Sequence, residues 1–216
     1  MTSWSLQVLE EAMKYLVGLC MCVVAASAMG QTLTTAASNN GSGGVFLDLT
    51  PTSTTLFVTQ FDLPFGGTVG TTAPVEVWTR PGSYVGFTGS NAGWTLTQTV
   101  SAVRGGSLVW VPMVLTTPIV LGPGTTGVLL HCTTTTSGQG IRYTGTSSAP
   151  PQTTWSNADL TLFSDVARTG GVPFGGSQFT PRTFSGVVYY SAVPEPMTLA
   201  GLGIGFAALL RRRRAK

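Results

Sequence analysis

The chain has 216 residues, of which 9% are charged and 28 are glycine, and it carries a formal net charge of +3. That is length enough for one domain with a real core, and so little Glu and Lys excludes long exposed helices. Between Met29 and Ala192, five arginines (Arg80, Arg104, Arg142, Arg168, Arg182) balance five acids (Asp48, Asp62, Glu76, Asp159, Asp165) without a single lysine; the middle is neutral, lacks the cationic stripe that phosphate backbones demand, and excludes nucleic acid as a partner.

At the start, Lys14 precedes an apolar run from Tyr15 to Ala25, which ends in Ala26-Ser27-Ala28. A positive start, a short apolar core and a small-x-small site are the parts of a secretory signal in their usual order. Signal peptidase cleavage is expected after Ala28, with Gly30 as the alternative, so residues 1–28 are read as a signal peptide. Glu10 and Glu11 are out of place in a positive leader, which makes Met13 an alternative start. A core helix or an uncleaved anchor is the competing reading, but the run is shorter than the ~20 residues a membrane span needs. Cys20 and Cys22 lie in the part removed, so Cys132 is left alone and the mature monomer has no internal disulfide. Leu19 and Met21 precede those two cysteines, where a lipid-attachment site has a small residue.

Residues 29–44, rich in Thr, Ala, Ser, Asn and Gly, read as a flexible leader, and 45–192 as the folded domain. The clearest strand is Trp94 to Val103, where Trp94, Leu96, Val100 and Ala102 alternate with Thr95, Thr97, Thr99 and Ser101. Other expected strands are Leu56 to Leu63, Val75 to Arg80, Leu108 to Leu115, Gly127 to Cys132, Leu160 to Asp165 and Phe184 to Tyr190. Pro112 marks its strand as an edge or as bulged, because proline cannot donate to a ladder. Short runs of this kind, separated by Gly-rich turns, favour an all-β, antiparallel β-sandwich over a parallel α/β sheet, with the jelly roll as the preferred form. Pro-Phe-Gly-Gly occurs at Pro64 to Gly67 and again at Pro173 to Gly176, too few copies for a repeat array; they read as similar loops or as coincidence.

Converging catalytic groups are scarce. His131 is the one histidine in the chain, and Cys132 beside it on a strand points to the opposite face, so the two do not pair as metal ligands or as nucleophile and base. No Gly-x-Ser-x-Gly elbow or Gly-x-x-x-x-Gly-Lys phosphate loop occurs. A glycosidase would need two of Asp48, Asp62, Glu76, Asp159 and Asp165 at about 5 to 9.5 Å. Asn157, Asp159 and Asp165 are candidate oxygen ligands for Ca²⁺, against the plainer reading as solvated turn residues. The expectation is therefore a protein without cofactor, metal site or enzymatic activity. Among the aromatic residues, Trp155, in a loop-like Pro-Gln-Thr-Thr-Trp-Ser-Asn context, and Trp78 are the candidates for stacking on sugar rings, while Trp94 is expected in the core.

The chain closes with Val193-Pro194-Glu195-Pro196, a charge-free stretch from Met197 to Leu210, and Arg211-Arg212-Arg213-Arg214-Ala215-Lys216. As a helix the apolar stretch is about 21 Å long, short of a ~30 Å hydrocarbon core, and it spans only if extended towards Pro194 and helped by snorkelling arginine stems. The basic cluster should stay in the cytoplasm and leave everything upstream outside. Gly201, Gly203 and Gly205 offer a face for close helix packing, and equally weaken the helix.

These three parts, in this order, resemble the PEP-CTERM sorting domain of bacteria that make extracellular polysaccharide, over Val193 to Lys216. The resemblance implies recognition by an exosortase, an integral-membrane cysteine transpeptidase. Val193, Pro194, Glu195 and Pro196 would be the sorting motif, Met197 to Leu210 a transient membrane anchor, and Arg211, Arg212, Arg213 and Arg214 the stop-transfer cluster. Both prolines keep the segment extended for a protease cleft. Glu76 to Arg80 and Pro181 to Tyr190 resemble, more loosely, segments of secreted β-sandwich proteins that carry such tails. The implied product is exported across the inner membrane to the cell envelope, surface or matrix, with a structural or biofilm role and contact with extracellular polysaccharide; a carbohydrate-binding module is the alternative, and a secreted glycoside hydrolase a third.

Overall fold

Thr-rich alternation and Gly-rich punctuation become β-structure throughout. The computed structural model describes residues 30–192 apart from Ser107, Thr135 and Ser147. The signal segment with Ala26 and Ala28, and the tail with Val193 to Pro196 and Arg211 to Arg214, lie outside the described residues. The described strands are β1 (Gln31–Thr34), β2 (Asn40–Pro51), β3 (Leu56–Pro64), β4 (Thr72–Pro81), β5 (Thr95–Val103), β6 (Trp110–Leu121), β7 (Thr126–Cys132), β8 (Ile141–Tyr143), β9 (Thr154–Ser156), β10 (Leu160–Phe163), β11 (Ala167–Thr169), β12 (Gln178–Phe179) and β13 (Val187–Ala192). Among the described residues there is no helix.

Two antiparallel sheets result. The small sheet has the order β1-β13-β3-β6; the large one runs β12-β11-β2-β7-β4-β5, with β8, β9 and β10 added around β2. β7 and β10 both pair with Asp48 and Leu49, so they occupy opposite edges of β2. Side chains alternate along each strand, and one set from each sheet is buried: Val45, Leu47, Leu49, Val75, Val77, Val128 and Leu130 from the large sheet, Phe61, Leu63, Met113, Ile119, Leu121 and Val188 from the small one.

Each of the seven expected strands is found, with shifted ends. Trp94 is buried as expected but stands just before β5, and Leu96 is exposed. The cause is a register shift between Val77 and Trp78, where the pairing passes from Gln98 directly to Leu96, so the simple alternation read across Trp94 to Val100 is broken by a bulge. Leu160 to Asp165 ends early because Ser164 turns to donate to the Phe46 carbonyl at 2.7 Å. Pro112 lies in β6, which is both the edge of the small sheet and part of a pairing irregular between Val58 and Gln60.

The leader reading of 29–44 is corrected. Gln31–Thr34 pairs with β13 as β1, and β2 begins at Asn40, whose side chain donates to Gly145 O at 2.8 Å. Small polar residues looked like a linker because their burial depends on partners distant in sequence: Thr35 Oγ1 donates to the Phe184 and Gly186 carbonyls, both at 3.1 Å. β2 itself carried no alternation signal. It is buried on both faces, and such strands read as continuous apolar runs. Both Pro-Phe-Gly-Gly copies have positive φ at their last glycine, Gly67 and Gly176, but only the second adds it at its phenylalanine, Phe174 with φ +62°.

Candidate functional site

Cross-strand partners share a face. Phe46, Leu129 and Trp78 form one row across β2, β7 and β4, and Gly44, His131 and Glu76 the next. Both rows stand on the face of the large sheet that looks away from the small one. Two loops cover it, 82–94 after β4 and 170–177 after β11, and between them they bury Tyr84, Trp94 and Phe174 against Phe46 and Leu129.

The first loop is held by charge-assisted bonds. Arg80 donates to the Ser83 carbonyl and lays its guanidinium 3.4 Å from the Phe87 ring centroid. Asp48 accepts from the Ser83 hydroxyl and from the Tyr84 amide at 2.9 Å. Burial nevertheless pushes the Asp48 carboxyl above its ordinary range, against the pull of those two donors. The Tyr84 hydroxyl donates to Asp165 and accepts from the Asp165 amide at 2.8 Å. Burial, then Asp165, raise its pKa, so it stays a donor.

The second loop hangs on Arg168 and His131. Arg168 donates to the carbonyls of Thr88, Gly175 and Gly176 at 2.8, 3.2 and 3.0 Å. His131 Nε2 meets the Gly170 carbonyl at 3.0 Å and therefore carries the proton there, leaving Nδ1 buried without a partner among the described residues. Only glycine fits at position 44: a Cβ there would lie 2.2 Å from Nδ1. Burial lowers the His131 pKa to about 4, with the Arg168 charge acting in the same direction. Within the loop, the Gly175 amide bonds the Val172 carbonyl at 3.0 Å around Pro173 and Phe174. Proline at the second position and φ +62° at the third are the marks of a type II turn, a place that normally takes glycine. Phe174 holds it because its ring centroid sits 5.3 Å from that of Trp78, 5.5 Å from Trp94 and 6.1 Å from Phe46.

Where the loops meet they leave an open groove of about 420 Å³, lined by Glu76, Trp78, Ser90, Asn91, Val172 and Phe174 among others. Trp78 is half-buried, and its Nε1 donates to Glu76 Oε2 at 2.8 Å. The other Glu76 oxygen and the Asn91 amide group meet no hydrogen-bond partner among the described residues. A second hollow, of about 470 Å³, has Gly170 in its wall and is lined by hydroxyls and glycines, including Ser42, Thr134, Ser137 and Thr169.

The structure separates the two tryptophans proposed for stacking. Trp155 is half-buried in β9 rather than in a loop, opposite Leu162 and through it Leu49. That row has the parity of the inner face, so Trp155 and Trp78 lie on opposite faces of the large sheet. His131 and Cys132 also diverge as expected: the thiol lies 3.9 Å from Arg104 Nη2, and burial pushes its pKa up. Arg104 is itself buried, bonding the Gln139 carbonyl at 3.0 Å and the Thr72 carbonyl.

Three of the carboxylates are tied into hydrogen bonds, and two of these meet at Tyr84. Asp62 accepts from Gln60 at 2.7 Å and Tyr189 at 2.9 Å on the small sheet, while Asp48 and Asp165 fix Tyr84. Of the three residues considered for Ca²⁺, Asn157 caps its own turn through the amides of Asp159 and Leu160 at 3.1 and 3.0 Å, and Asp165 is committed to Tyr84. Sequence reasoning missed Asn91, Val172, Phe174 and the role of Arg168; the second Pro-Phe-Gly-Gly copy was the one visible pointer.

The described residues thus form an all-β protein of two antiparallel sheets with one loop-roofed face, and β13 runs directly into the tail. That tail is a sorting signal: the PEP-CTERM protein-sorting motif matches residues 192–214. The chain carries this motif, which implies exosortase-dependent sorting to the cell surface with a membrane-anchoring tail. No curated protein matches the chain.

Proposed function

We propose that this is an exported surface or matrix protein whose folded part is displayed by exosortase and serves a structural, polysaccharide- or biofilm-associated role without catalysis. Signal peptidase removes the first segment at Ala26-Ser27-Ala28. Exosortase then reads Val193, Pro194, Glu195 and Pro196, with Met197 to Leu210 as the temporary anchor and Arg211 to Arg214 holding the cytoplasmic side. The observation that carries this reading is the sorting motif at residues 192–214, which begins on the last residue of β13.

The fold suits the role. The orders β1-β13-β3-β6 and β2-β7-β4-β5 are those of two interlocked Greek keys, and we read the domain as a jelly roll with β8 to β12 inserted before its final strand. The commitment of Asp48, Asp62 and Asp165 to holding structure supports the non-enzymatic reading. The test is intact-mass measurement of the protein from its host with and without the exosortase. The expected result is loss of the C-terminal tail in the first case only; a tail retained in both overturns the proposal.

A further inference from the structure

We infer that the groove between the 82–94 and 170–177 loops is a binding site for a neutral polysaccharide, with Trp78 and Val172 as its apolar surface and Glu76 and Asn91 as its polar contacts. The inference takes from the proposed function only that such a polymer is within reach.

Sugar rings present apolar C–H faces and a rim of hydroxyls that both donate and accept. The groove answers both. Trp78 and Val172 supply the flat and aliphatic surface, and Val172 is 64% exposed. The free Glu76 oxygen accepts from hydroxyls, and the Asn91 amide both donates and accepts. The Trp78 indole N–H is bonded to the other Glu76 oxygen, which fixes the carboxylate before any ligand arrives. The groove's volume of about 420 Å³ lies in the range of ~300–1,000 Å³ of small-molecule clefts.

Preorganisation is the second line of argument. Phe174 is the one non-glycine residue with positive φ among the described residues, and it sits in the groove wall. Strain of this kind persists where the surroundings over-determine it, and it clusters at sites that hold ligands. Here Arg168, through Gly175 and Gly176, and His131, through Gly170, pin both ends of the turn.

Other occupants fit less well. An extended peptide would need a free strand edge, but β4, which carries Glu76 and Trp78, is paired on both sides by β7 and β5. An anionic polymer would need cations, and the groove lining holds a carboxylate and no Arg, Lys or His. Neutral sugar is the class that remains.

The test uses the full-length chain in mild detergent, run on native gels cast with glucomannan, galactomannan, mixed-linkage β-glucan or dextran, and with alginate as the anionic arm. We expect at least one neutral polymer to retard the protein, Asn91→Ala and Glu76→Gln each to weaken that retardation at least fivefold, and Val114→Ala on the small sheet to leave it unchanged. Circular dichroism and unfolding midpoints must match across the variants; Val172→Ala, on an exposed side chain, replaces any that does not fold. No retardation by any neutral polymer, retardation indifferent to the groove variants, or binding to alginate alone each overturns the inference. Because the assay needs no tail cleavage, it can fail while the sorting reading stands, and the reverse.

Discussion

Acid should unfold this domain through His131, and the size of the effect follows from its burial. The imidazole is wholly inaccessible, with a pKa near 4 in the folded chain against an ordinary 6.5. Above pH 6.5 it is neutral in both folded and unfolded states and adds nothing to the pH dependence. Between 6.5 and 4 the unfolded chain binds a proton that the folded chain refuses, so stability falls as pH falls; below 4 both bind it and the loss is complete. At about 1.4 kcal/mol per tenfold in proton affinity, the total is about 3 kcal/mol. Asp48 works the other way, since a carboxyl raised by burial gains stability on protonation. The clean quantity is therefore the difference between the wild type and His131→Gln, whose amide can still donate to Gly170. Urea unfolding followed by tryptophan fluorescence at pH 7 and pH 4 should show the wild-type midpoint dropping about 1 to 2 M further than the variant's. Parallel shifts in the two proteins would refute the reasoning.

Two further outcomes follow from the roofing loops. Tyr84→Phe removes the hydroxyl that bonds both the carboxylate and the amide of Asp165, and should lower stability at pH 7 by about 1 to 3 kcal/mol, read as the shift in the denaturation midpoint; no shift would mean that water replaces the hydroxyl. At Phe174, both Ala and Gly lose the buried ring, at about 3 to 5 kcal/mol, but only Gly escapes the left-handed backbone penalty of about 1 to 2 kcal/mol. Phe174→Gly should therefore be the more stable variant of the two, and the opposite order in thermal unfolding would show that the turn is not strained.

What was legible in the sequence depended on whether a segment had one wet face. β5 and β6 were found because exposed Thr residues alternate with or punctuate their apolar ones, and β7, buried on both faces, was found as a short apolar run set off by glycine-containing turns. β2, buried on both sides, gave a continuous run that periodicity cannot assign, and β1 was hidden because residues 31–34 become a strand only by pairing with 187–190, far along the chain. The sorting motif was readable because a peptide signal is local by nature. The groove was half readable. Trp78 was named, yet its neighbours Asn91 and Phe174 reach it from two other loops, and the positive φ of Phe174 contradicts the propensity of its own residue type. Trp155 was misplaced for the complementary reason: polar neighbours suggested a loop, whereas the partner strand, Leu160–Phe163, converts the same residues into an edge strand.

The position of β13 also constrains how the molecule matures. It lies between β1 and β3, so the small sheet has a gap in its middle until residues 187–192, which follow every other strand in the chain, are in place. The last piece of the fold and the sorting signal therefore emerge together. Until that gap closes, the edges of β1 and β3 stay unpaired and invite aggregation.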